Sequence, residues 1–70
     1  MSKYYTKTTR IGRDKNNFNS IENKLDEEIN RLYNDNQVIK ESISITPIID
    51  TYEGLRLVSE YWIVYVYTCE

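Results

Sequence analysis

The sequence predicts an α+β domain of β-α-β-β order, a three-stranded antiparallel-type sheet in spatial order 1-3-2 with one helix on one face. Three observations lead there. A helical-period apolar stripe fills the stretch before Asn34, the period changes to two after it, and the closing strand is apolar or aromatic on both faces. A strand buried on both sides belongs at the centre of a sheet. The chain reads as a single domain over residues 1–70, with a basic N-terminal strand or arm (1–18), a helix (19–34) and a long β-hairpin (37–69).

The first strand is expected over Tyr4 to Ile11, a run rich in Thr and Tyr. The helix is expected from about Ser20 to Tyr33. Asn19 followed by Glu22 has capping-box spacing, and Ile21, Leu25, Ile29, Leu32 and Tyr33 then fall on one stripe. Glu22, Asp26, Glu27, Asn30 and Arg31 line the other side, with Glu27 and Arg31 at the favourable i, i+4 spacing. Asn34-Asp35-Asn36 offers residues that tolerate a left-handed turn and so ends the helix.

From Val38 to Thr46, Ile39, Ile43 and Ile45 share a face with Glu41, while Lys40, Ser42, Ser44 and Thr46 take the other. This is a strand buried on one side. Pro47 cannot donate to a ladder, so the strand lies at an edge or a bulge falls here. The extended run continues to Glu53-Gly54, where the glycine supplies a positive φ for a tight turn. The returning strand, Leu55 to Thr68, is expected to turn Trp62, Val64 and Val66 toward the helix. That leaves Tyr61, Ile63, Tyr65 and Tyr67 as an uncovered face, the expected oligomer or partner surface.

Composition limits the chemistry. A chain of 70 residues buries only about 60% of the surface its unfolded form exposes, so it ordinarily needs a staple. Cys69 is the only cysteine and there is no histidine, which excludes an intrachain disulfide and leaves no ligand set for structural zinc. The same counts remove imidazole bases and Ser-His-Asp or Cys-His arrangements. Neither a cofactor nor a metal is expected, and the protein is read as non-catalytic. Glu41 or Tyr61 would have to carry any reaction, without a recognisable nucleophile–base pair. The remaining staple is association with copies of itself, as a homo-oligomer.

The net charge of −2 is unevenly spread. Residues 1–20 carry five basic side chains and one acidic, giving +4, and residues 21–70 carry four basic and ten acidic, giving −6. The basic arm either lies on the acidic body or binds phosphate. On the second reading Tyr4, Tyr5, Lys7, Arg10 and Arg13 are the ligand-binding residues, since interleaved cations and tyrosines pair with phosphates and stack on a base. A pI near 5.1 argues against a duplex nucleic acid, so a small phosphorylated ligand is expected instead. Glu41 is a buried carboxylate, the partner of Arg10 or Arg56, or simply exposed at a sheet end; Asp50, Glu53 and Arg56 form a charged hairpin tip; Cys69 is a passive strand-end residue. The Arg10-Ile-Gly-Arg13 run offers only a weak phosphate-turn signal. The longest apolar stretch, Tyr61 to Tyr67, is far below the ~20 residues of a membrane span, and the start lacks a signal peptide's apolar region. No membrane association and a cytoplasmic location are therefore expected.

Asn, Ile, Lys and Tyr make up 28 of 70 residues and alanine is absent, the bias of A/T-rich codons, which points to a low-GC bacterium or its phage. Leu25-Asp-Glu-Glu-Ile-Asn-Arg-Leu-Tyr33, Val38-Ile-Lys-Glu-Ser-Ile-Ser-Ile45 and Tyr61-Trp-Ile-Val-Tyr-Val-Tyr67 together resemble the short β-α-β-β proteins of Bacillota and their phages, which include a sporulation-associated family. The likeness covers roughly residues 20–70, and the basic N-terminal segment departs from it. What the resemblance implies is a fold and a small accessory role. Two functions are expected from the whole: a phage-like homo-oligomeric protein that sequesters a small anionic, nucleotide-type ligand, or a module that binds and regulates a host protein.

Overall fold

The computed structural model describes residues 3–13 and 21–69. Its elements are β1 (Lys3–Gly12), α1 (Ile21–Tyr33), a single 3-10 turn (Lys40–Ser42), β2 (Ser44–Tyr52) and β3 (Leu55–Cys69). The sheet order is β1-β3-β2 and both pairings are antiparallel, as the sequence predicts. The expected helix cap at Asn19 and the cation of Lys15 lie outside the described residues.

The helix lies on the opposite face of the sheet from the one expected. Ile63 is 0% and Tyr65 4% exposed; they form the core with Ile11, Ile21, Leu32 and Val38, and Tyr61 and Tyr67 pack against it. The expected partner surface of Tyr61, Ile63, Tyr65 and Tyr67 is thus the covered face, and Trp62, Val64 and Val66 belong to the open one. Both faces of β3 are apolar in this half, so its own pattern cannot choose between them. The choice is made by β1. Ile11, its one aliphatic residue, sits opposite Tyr61, whereas Thr8 and Arg10 sit opposite Val64 and Trp62. Burying the face with Ile11 leaves the Thr8 hydroxyl and the Arg10 guanidinium in water.

The period-two reading of Val38 to Thr46 is broken by the 3-10 turn, which leaves Glu41 exposed rather than on an apolar strand face. Val38 makes an isolated bridge to Tyr67, and β2 begins only at Ser44. The turn costs β3 no hydrogen bonds. Val66 donates its N–H to Ser42 Oγ at 2.8 Å, Ser42 Oγ donates to the Ile39 carbonyl at 2.6 Å, and Ile39 donates to the Val66 carbonyl at 2.9 Å. A serine hydroxyl thus stands in for a strand carbonyl, keeping the central strand's backbone paired.

Pro47 meets both conditions it sets: β2 is an edge strand, and a bulge follows at Ile48/Ile49. Ile48 pairs with Glu60 and Ile49 with Val58, so Ser59 is the extra residue, and its hydroxyl donates to the Ile48 carbonyl at 3.1 Å. The insertion reverses the alternation of β3, which is why Val58 joins the covered face beside Tyr61. At the hairpin tip Glu53 (φ 51°) and Gly54 (φ 81°) both have positive φ, the signature of a two-residue type I′ turn.

At the helix C-terminus the expected left-handed turn is absent: among the described residues only Glu53 and Gly54 have positive φ. Asp35 Oδ1 instead accepts the Gln37 N–H at 2.9 Å, closing a local side-chain turn. Tyr33 lies off the buried stripe at 56% exposure. Arg31 pairs with Glu28 rather than Glu27, because Glu28 lies on the sheet side where Arg31 also meets Tyr65.

Candidate functional site

Strand alternation separates the five residues expected to bind a phosphate. Tyr5 and Lys7 lie opposite Tyr67 and Tyr65 on the helix-covered side, whereas Tyr4 and Arg10 lie opposite Thr68 and Trp62 on the open side. Arg13 follows the end of β1 and is committed to the bulge. Its Nε and Nη2 donate to the Val58 carbonyl at 3.2 and 2.9 Å, and its backbone N–H donates to the Ser59 carbonyl at 3.1 Å. Arg10 lies with its guanidinium 5.6 Å from the Trp62 ring centroid, a cation–π contact on the open face.

On the helix side, Lys7 enters a cleft of about 240 Å³ together with Arg31, Asp35, Gln37, Tyr65 and Tyr67. Tyr5 stacks on Tyr67 at a centroid distance of 5.6 Å and extends the aromatic wall. Arg31 is held firmly protonated, first by the Glu28 carboxylate and then by its hydrogen bond with Tyr65. Its charge is largely answered by Glu28. Lys7 has no carboxylate within ion-pair distance among the described residues. Arg31 and Gln37 reach the cleft from the end of α1 and the segment after it, so only the tertiary fold brings them to Lys7.

The open side offers a larger feature. β1 pairs with β3 only from Glu60 onward, so from Ile49 to Val58 the sheet is a two-stranded arm projecting from the body. The long axis of the protein is 52 Å against 17 Å in the other two directions. Every residue of β2 is exposed, on both faces of the strand. Ile48, Ile49, Tyr52 and Leu57 are among them or beside them, and Leu55 is 64% exposed. The register continues this apolar stripe from Leu55 and Leu57 to Trp62, Val64 and Val66 along the open face of β3, with Trp62 38% exposed.

Among the described residues no group of three or more His, Cys, Asp or Glu side chains is placed to hold a metal ion, and no helix is long and apolar enough to cross a membrane. No family model, curated protein or solved structure matches this chain.

Proposed function

We propose that this protein is a non-catalytic binding module whose working surface is the open sheet face and the projecting β2–β3 arm, docking on a protein partner. One observation carries the reading: the arm holds Tyr52, Leu55 and Leu57 in water on one face of a ribbon only two strands wide. A two-stranded ribbon is marginal by itself, and a contiguous exposed apolar surface is the ordinary mark of an interaction site. Capture experiments with immobilised protein test it. Leu57→Glu and Leu55→Lys, both at exposed positions of the open face, should keep the native circular dichroism spectrum and lose the partner that the wild type retains. Retention by both variants would refute the assignment.

A second reading, sequestration of a small anionic ligand, is favoured by Lys7 in the cleft beside stacked Tyr5 and Tyr67. The cleft is modest for it, since ligand pockets run from ~300 Å³ upward and the helix C-terminus contributes negative potential. A nucleotide panel in thermal denaturation decides this reading. It requires a shift that Lys7→Glu abolishes.

A further inference from the structure

We infer that the cleft beside Lys7 takes a small free α-amino acid, with its carboxylate on Lys7 and its ammonium on Asp35. This rests on the small-ligand reading of the cleft and gives that ligand a size and a second charge. Lys7 stands on β1 and Asp35 on the segment after α1, and both line the cleft. Among the described residues neither has an opposite charge within ion-pair distance, so the two are not joined to each other. The neighbouring cations do not answer Asp35. Arg31 gives Nε and Nη2 to Glu28, and Lys40 Nζ donates to the backbone carbonyls of Asp35 and Val38. Asp35 Oδ1 accepts the Gln37 N–H at 2.9 Å, which leaves Oδ2 without a donor among the described residues. Lys7 keeps all of its ammonium donors unused there.

A ligand that satisfies both side chains carries charges of both signs a short way apart. An ammonium and a carboxylate on one carbon do so, with a charge-assisted contact of about 2.8 Å at each end. A plain anion satisfies Lys7 but brings its own charge toward Asp35, and a phosphate dianion does this more strongly. Size points the same way. The cleft of about 240 Å³ equals the liquid volume of roughly eight waters, room for about nine heavy atoms. That holds a small amino acid and is too little for the base, sugar and phosphate of a nucleotide together. Tyr65, paired with Lys7 across the sheet, and Gln37 add polar groups to the same walls.

The test is an amide NMR titration of the full chain with L-amino acids from alanine to leucine in size, then with the N-acetyl and amide derivatives of the best binder. At least one amino acid should give saturable shifts at Lys7, Asp35, Gln37 and Tyr65 at millimolar concentration. Its N-acetyl derivative lacks the ammonium and its amide lacks the carboxylate, so each should bind at least about tenfold more weakly. Lys7→Met and Asp35→Asn should each weaken the free amino acid by a similar factor. Asparagine keeps an oxygen for the Gln37 N–H, so this variant removes the charge and not the turn. Unchanged peaks away from the cleft show in the same spectra that each variant is folded. A blocked derivative that binds as tightly as the free amino acid overturns the inference, as does binding that either variant leaves at full strength. Adenosine monophosphate or inorganic phosphate shifting the cleft residues where no amino acid does overturns the ligand class and leaves the small-ligand reading standing. No response to amino acids, adenosine monophosphate or phosphate overturns both.

Discussion

Replacing Ser42 with alanine tests how the central strand keeps its hydrogen bonds where its neighbour departs from strand geometry. The Ser42 hydroxyl accepts from Val66 N–H at 2.8 Å and donates to the Ile39 carbonyl at 2.6 Å. The Ile39 carbonyl has a second donor in Ser42 N–H at 3.0 Å, so the variant leaves one group, the part-buried Val66 N–H, without a protein partner. An orphaned buried donor costs about 1–3 kcal/mol. Taking about 2 kcal/mol, local opening around Val66 becomes roughly thirty times more frequent. Amide hydrogen exchange measures this directly, and Val66 should lose protection by that factor while the Ile49–Val58 arm is unchanged. Ser42→Thr keeps the hydroxyl and should recover most of the protection. Unaltered exchange at Val66 in Ser42→Ala would refute the reasoning.

Three further outcomes follow from the same geometry. Ile63→Thr puts a hydroxyl into the core and should cost more than about 2 kcal/mol in urea unfolding, whereas Val64→Thr on the open face should stay within about 1 kcal/mol at concentrations below association; equal costs would contradict the placement of the helix. Glu53→Asn gives the type I′ turn its preferred Asn-Gly pair and should stabilise the hairpin by about 0.5–1 kcal/mol, read from the chemical shifts of Tyr52 and Leu55 and the urea midpoint. Lys7→Glu alters the cleft and not the open face, so it should leave capture of the protein partner unchanged; a loss of capture would bring the helix side into the interface.

The element order and the strand order were both legible because they rest on strong local signals: the stripe from Ile21 to Leu32, the two apolar faces of β3, and Pro47 at an edge. The covered face was harder to read. Tyr61, Ile63, Tyr65 and Tyr67 compete with Trp62, Val64 and Val66 on nearly equal terms, and the deciding residue, Ile11, lies on another strand, at the far end of the chain. Its place opposite Tyr61 was available once a register had been chosen. The Ser59 bulge and the 3-10 turn at Lys40–Ser42 were not, since each depends on hydrogen bonds between distant segments: Arg13 with Val58, and Ser42 with Val66. Of the candidate phosphate residues, the sequence grouped by proximity what alternation sets on opposite faces. Lys7 and Tyr5 remain together, and Arg10 serves the open face instead.

A small chain with one helix can cover only one side of its sheet, and the other side, with its projecting arm, is where the account stands or falls. Capture by the immobilised wild-type chain, set beside its Leu57→Glu variant, is the most direct measurement. The open face predicts a retained protein partner that Leu57→Glu loses while keeping the native circular dichroism spectrum. A partner held equally by both chains would contradict it.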